Sequence, residues 1–234
     1  MLRNIIPTTD LSKLERIGIA IKNVGRNQNH VGLIFENEID EGQSPALLHL
    51  GFPRGMFIEP ANDEYLYINF CEYFSEYDRE IILAHIYKVI LVNSPYQAPL
   101  GNSSFPMYGL DTETNYFNRE SGKFEKALQP VGLTCATFVL EILASCGYEL
   151  LDLNNWPRNV KINEEWQDKI IRALSMEKFG IPADFLTAQN RNKGNKRFLP
   201  EEVAAATQHG PHPLKRKQLK TTAKKIRNKL TAAL

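Results

Sequence analysis

Cysteine is scarce in this chain of 234 residues: Cys71, Cys135 and Cys146 make an odd set with no C-x-x-C pair. Such a set argues against a disulfide framework and against a structural zinc site, and it leaves free thiols as the expectation. Long apolar runs are missing as well. The longest, Ile81 to Val92, is broken by His85 and Lys88 and is too short and too polar to cross a bilayer. The opening MLRNIIPTTD lacks the apolar stretch and small-residue cleavage site of a secretory signal. The expectation is a cytoplasmic protein, or one peripheral to a membrane or exported without a cleavable signal. No internal repeat is visible, which argues against solenoid architectures.

What the chain has is enough apolar sequence, 43% of residues, for a packed core. Its charge is unevenly spread. Residues 191–234 hold twelve Lys or Arg against two Glu, a balance of +10, so a net charge of +1 leaves the first 190 residues at −9. An acidic body joined to a basic tail predicts an anionic partner for the tail, or docking of the tail on its own body.

Alternation at Ile17, Ile19 and Ile21, after a helical start in LSKLER, predicts a strand. His30-Val-Gly-Leu-Ile-Phe and Ala46-Leu-Leu-His-Leu follow as strands, separated by an acidic polar loop, and Met56 to Glu59 and Tyr65 to Phe70 extend an antiparallel sheet. At Ser75 the period changes. Ser75 with Asp78 is a capping pattern, and Ile81, Ile82, His85, Ile86, Val89 and Ile90 form a helical stripe. From Asn93 to Pro130 the period is lost, and prolines, glycines and the aromatics Tyr96, Phe105, Tyr108, Tyr116 and Phe117 punctuate a long connection, a lid or binding loop or else a surface insertion. A helix over Asn163 to Phe179 has Trp166, Ile170, Ile171 and Leu174 on one face and is expected to pack. Phe185 to Arg197, rich in Asn and basic residues, reads as a flexible linker, dividing a main domain over 1–189 from a basic segment over 190–234. A short helix at Leu199-Pro-Glu-Glu opens that segment.

The stretch VGLTCATFVLEIL, Val131 to Leu143, reads as a helix with Thr134 as N-cap and Phe138, Val139, Ile142 and Leu143 on its buried face. Cys135 then falls in the first turn, where unpaired amides and the helix dipole favour thiolate and can hold an oxyanion. A nucleophile there needs a base and a group to orient it, and His30 and His49 sit in adjacent strand patterns that present side chains rigidly. The competing reading makes His30 a strand-end histidine bonded to backbone and His49 a satisfied core histidine among leucines. Cys71 and Cys146 read as structural, and His85 as core. His209 and His212 have too few convergent partners for a metal site.

In this order, His30-Val-Gly-Leu-Ile-Phe, then Leu48-His49-Leu50, then Cys135-x-x-Phe138-Val139, the motifs resemble the papain-like NlpC clan in its circularly permuted, lecithin retinol acyltransferase-like form, over residues 17–146. The resemblance implies an α+β, permuted papain-like fold, with an antiparallel sheet packed against the cysteine-bearing helix and further helices. It implies Cys135 as nucleophile, His30 as base and then acid, and His49 as its orienting group, with Glu59 the rival for that third position. It also implies chemistry through a thioester without metal or cofactor. The expected activity is that of a thiol-dependent hydrolase or acyltransferase on an amide or ester, either a peptide or isopeptide amidase or a lipid acyl-hydrolase. Thr134 and Ala136-Thr137 depart from the acyltransferase pattern around the cysteine and leave the substrate open.

The tail over 214–234 places Leu219, Ala223, Ile226 and Leu230 on one helical face with Lys and Arg elsewhere. Such a helix can dock on the body, lie on an anionic membrane or follow the phosphates of nucleic acid, and it carries no aromatic anchor. The function class opposed to an enzyme is therefore a non-catalytic papain-like binding module that engages an anionic partner through this tail.

Overall fold

Six strands occupy the first third of the chain, as the alternating β-formers require: β1 (Ile5–Ile6), β2 (Ile17–Asn23), β3 (Asn29–Phe35), β4 (Ala46–Leu50), β5 (Met56–Pro60) and β6 (Leu66–Asn69). The computed structural model describes residues 4–8, 10–25, 28–38, 45–93, 106–112, 115–127, 129–158 and 160–232. The strands form one antiparallel sheet in the order β1-β6-β2-β3-β4-β5. The helical start expected in LSKLER is a single 3-10 turn, Leu11–Lys13.

The helices are α1 (Glu76–Asn93), α2 (Cys135–Ser145), α3 (Val160–Leu174), α4 (Ala183–Arg191), α5 (Pro200–Ala206) and α6 (Arg216–Ala232). The molecule is thus α+β with an antiparallel sheet, as the sequence pattern implies. Ser75 caps α1: its N–H and hydroxyl donate to Asp78 Oδ2 at 2.8 and 2.6 Å. The stripe of α1 buries Ile82, His85, Ile86 and Val89.

The two faces of the sheet carry different loads. Ile19, Ile21, Val31, Leu33, Leu48, Leu50 and Ile68 point to the face covered by α1, α2 and α5 and form the main core with Phe138, Val139 and Ile142. Ala20, Ile34, Leu47, Tyr65 and Tyr67 point to the other face, where Ile6 and Leu14 close a smaller cluster. The odd and even positions of β2 and β3 therefore serve different partners, the period-2 consequence of the pleat.

Two expectations are corrected. The linker expected over 185–197 begins inside α4, and the residues after it are tied to α3 by side chains. Gln167 Oε1 accepts from the Gly194 N–H at 2.7 Å, and Asn163 Nδ2 and Gln167 Nε2 donate to the Asn195 carbonyl at 3.2 and 3.3 Å. A composition rich in Asn and Gly reads as flexible when its acceptors and donors lie elsewhere in the chain. The long connection after α1 is the second. Residues 94–105, with Tyr96 and Phe105, lie outside the described residues, but Tyr116 and Phe117 are buried in the main core against Phe124, and Phe117 also meets Phe138 edge-on. That part of the connection packs and does not form a lid.

The basic tail docks on the body. Leu219, Ala223, Ile226 and Leu230, the stripe visible in sequence, are the buried residues of α6 and lie against α5. Arg227 pairs with Glu201, and Arg216 Nε lies 2.5 Å from Glu202 Oε1.

Candidate active site

Thr134 builds the start of α2. Its hydroxyl accepts from the Thr137 N–H at 3.1 Å while Thr137 Oγ1 accepts from the Thr134 N–H at 2.7 Å, a reciprocal box that satisfies two otherwise unpaired amides. Cys135 is the next residue, 4% exposed. Its thiol sits against three kinds of donor: the Val31 N–H of β3, the Tyr108 hydroxyl, and the Cys135 and Ala136 amides of the first helical turn.

Burial pushes the Cys135 thiol up, and those donors only partly oppose it. The helix terminus, which favours thiolate, is thus outweighed by burial, and the site needs the base that the sequence reading asked for. Desolvation of the charged form in a closed site outweighs the dipole of a helix end.

Tyr108 reaches the thiol through a pairing the sequence does not announce. Strands β7 (Met107–Tyr108) and β8 (Gly132–Leu133) run parallel, with Tyr108 opposite Leu133, two residues before Cys135. The backbones meet so closely that a Cβ on Gly132 would lie 2.8 Å from the Met107 carbonyl oxygen and 2.9 Å from Gly109 Cα. Gln189 of α4 clamps this junction, accepting from the Leu110 N–H at 2.6 Å and donating to Asp111 Oδ2 at 2.8 Å and to the Pro130 carbonyl at 3.1 Å. Asp111 Oδ2 in turn accepts from the Gly132 N–H at 2.7 Å.

The histidines meet by register. In the β3–β4 ladder Leu33 faces Leu48, so His49 lies across from Gly32 and diagonal to His30 on the sheet face away from α2. A Cβ on Gly32 would stand 2.7 Å from the Leu48 carbonyl oxygen and 2.8 Å from His49 Cβ, so only glycine gives the ring its place. His30 Nε2 and His49 Nδ1 are 3.1 Å apart, with the rings edge to face at 4.9 Å. Glu59, diagonal to His49 on β5, sets Oε1 3.3 Å from His49 Nε2, off the direction of a well-formed hydrogen bond. Glu59 thus stands behind His49 and not in its place.

In the tautomer that turns a proton toward Glu59, His49 Nδ1 is the acceptor, His30 Nε2 donates to it, and His30 Nδ1 carries the free lone pair. Burial, then the neighbouring His49 and Lys22, push His30 down from 6.5 to about 3, so its ring is neutral at physiological pH. His49 is also lowered, by burial against the opposing pull of Glu59.

His30 sits at the rim, the second residue of β3, and lines one cavity of about 360 Å³ together with Cys135, Thr134 and Tyr108. The rest of that wall is apolar or polar and uncharged except for Arg197, and it includes Leu50, Phe52, Trp166, Ile170 and Phe198. The sequence pattern assigned Trp166 and Ile170 to packing and Arg197 to a linker; here all three face the cavity that holds the thiol. Nothing in their spacing marks them, because α3 and the 192–198 segment meet the site only through the fold.

No family model matches the chain. No curated protein and no solved structure matches it either. Among the described residues, no group of three or more His, Cys, Asp and Glu is placed to hold a metal ion, and no helix is long and apolar enough to cross a membrane. Cys71 and Cys146 are buried and free, and Cys146 donates to carbonyls of its own helix. His85 Nε2 lies 2.6 Å from Ser145 Oγ, His209 Nε2 2.7 Å from Thr222 Oγ1, and His212 Nε2 3.0 Å from the Ala206 carbonyl.

Proposed function

We propose that the chain is a thiol-dependent acyl hydrolase or acyltransferase of permuted papain-like arrangement, with Cys135 as nucleophile, His30 as base and then acid, and His49 and Glu59 orienting His30. The observation that carries the reading is that Cys135, in the first turn of α2, and His30 line one cavity, with His49 Nδ1 3.1 Å from His30 Nε2 and Glu59 behind His49.

In the proposed cycle, the Cys135 sulfur attacks the acyl carbon as its proton passes to His30 Nδ1, and the carbonyl oxygen takes the developing charge against the Cys135 and Ala136 amides. The tetrahedral species collapses to a thioester, the leaving group takes the proton from His30, and water or an acceptor hydroxyl or amine then releases the acyl group with His30 again as base. Glu59, through His49, stabilises the imidazolium that forms at each proton transfer. A neutral thiol and a neutral imidazole lining one cavity suit this scheme, since proton transfer is drawn by attack and not completed beforehand. Tyr108, donating to the sulfur, holds it at the mouth of the helix. The same reading keeps an anionic lipid surface as a partner for the solvent-facing lysines of α6, by charge alone, because the apolar stripe is used on α5.

Hydrolysis of a panel of activated p-nitrophenyl esters tests the reading. Turnover that disappears in Cys135→Ala, with the far-ultraviolet spectrum and melting curve unchanged, supports it. Equal turnover in Cys135→Ala rejects it in favour of a binding module.

A further inference from the structure

One cation faces the cavity without a counter-charge. Among the described residues that line it, Arg197 alone is charged at neutral pH and none is acidic. Its guanidinium lies over Trp166, Cζ 4.1 Å from the ring centroid, a cation–π contact made through the face of the group and not through its N–H donors. The backbone of Arg197 is fixed from outside the cavity, where its carbonyl accepts from Trp156 Nε1 at 3.2 Å.

The acids nearest to it are already engaged. Glu201 takes Arg227 of α6 and accepts from Asn29 Nδ2 at 3.0 Å. Glu202 takes Arg216 of α6 and accepts from the Leu199 N–H at 3.1 Å. The basic helix thus neutralises the two carboxylates that would otherwise quench Arg197. A half-buried guanidinium on an otherwise uncharged wall suits a ligand that supplies matching acceptors, and the planar fork fits a carboxylate two bonds at a time.

We infer that Arg197 is the substrate-recognition group of this site, and that it binds a carboxylate carried on the acyl substrate a short spacer from the scissile carbonyl. The apolar wall formed by Leu50, Phe52, Ile170 and Phe198 takes the spacer and the remainder of the acyl chain. This rests on the proposal that Cys135 is the nucleophile, and it narrows the substrate class to half-esters or half-amides of dicarboxylic acids, the side-chain and chain-terminal amides of acidic peptides among them. Burial holds the Arg197 guanidinium below its ordinary range, against the opposing pull of Tyr108, Glu201 and Glu202.

The test compares two thiol reagents of nearly the same size, iodoacetate and iodoacetamide, on the full chain, reading the Cys135 peptide by mass spectrometry. The anion-to-neutral rate ratio is divided by the ratio for the same peptide in the urea-unfolded chain, which removes intrinsic reactivity. Arg197 should raise the normalised ratio about tenfold in wild type. Arg197→Gln should return it to near unity, and Arg197→Lys should retain part of it. A normalised ratio near unity in wild type, or one that Arg197→Gln leaves unchanged, overturns the inference while leaving Cys135 reactive. A Cys135 inert to both reagents in the folded chain overturns the nucleophile reading instead. If Arg197→Gln fails to fold, glutarate decides in wild type: it should slow iodoacetamide labelling of Cys135 where equal chloride does not, and no protection rejects the inference.

Discussion

A buried neutral histidine makes a protein acid-labile in a calculable way, and His30 offers the largest such effect at the site. Its folded value of about 3 lies below the 6.5 of an exposed ring, so between those two values the unfolded chain binds a proton that the folded chain does not. The contribution to stability is therefore complete above pH 6.5 and is lost as the pH falls toward 3. Over the whole window it amounts to about 5 kcal/mol, and at about pH 5 roughly 2 kcal/mol has gone. The groups that face the ring are His49, Lys22 and Tyr65, with Glu59 behind His49, so removing His30 alone also perturbs His49. His30→Gln is the suitable variant, because the amide keeps a donor for His49 Nδ1. Urea unfolding of both proteins at about pH 7.5 and about pH 5 gives the comparison, with wild type expected to lose about 2 kcal/mol more than the variant. Equal losses would refute the neutral, buried His30 and with it the proton directions along the relay.

The remaining predictions concern the frame around that ring. Gly32→Ala places a Cβ 2.7 Å from a strand carbonyl that cannot retreat and 2.8 Å from His49 Cβ, so it should cost about 1–3 kcal/mol in urea unfolding and displace the relay; an unchanged midpoint would contradict the close packing. Arg227→Ala leaves buried Glu201 without its cation and should destabilise by about 2–4 kcal/mol, whereas adding Glu201→Gln should restore most of the loss; a double-mutant cycle with no coupling would mean that the pair does not carry α6. Sedimentation with anionic vesicles should weaken on combining Lys217→Glu, Lys220→Glu and Lys224→Glu and should vanish at high salt; binding indifferent to both would remove the lysine face as the contact.

Much of the scaffold is legible in the chain because local rules decide it. The alternation at Ile17, Ile19 and Ile21 gives a strand, the Ser75–Asp78 pattern caps α1, and Thr134 followed by an apolar stripe gives α2 with Cys135 in its first turn. His30 and His49 are visible as strand residues, but their contact is a matter of register, and the residue that permits it is Gly32, whose lack of a side chain is informative only once Leu48 lies opposite. Tyr108 and Arg197 are not legible. The first reaches the thiol through a parallel pairing closed by Gln189, and the second sits in a segment whose Asn and Gly residues look like a linker until Asn163 and Gln167 of α3 supply their partners. The thiol's protonation is likewise set by burial, a property of the whole core.

The central claim is that Cys135 and His30 act as one pair on an acyl carbon, and rapid-quench mass spectrometry after mixing with an activated ester tests it most directly. A single acyl adduct should form on Cys135, absent in Cys135→Ala and at least about a hundredfold slower in His30→Ala. Acylation of Cys71 or Cys146 instead, or a Cys135 adduct whose rate His30→Ala does not change, would contradict the account.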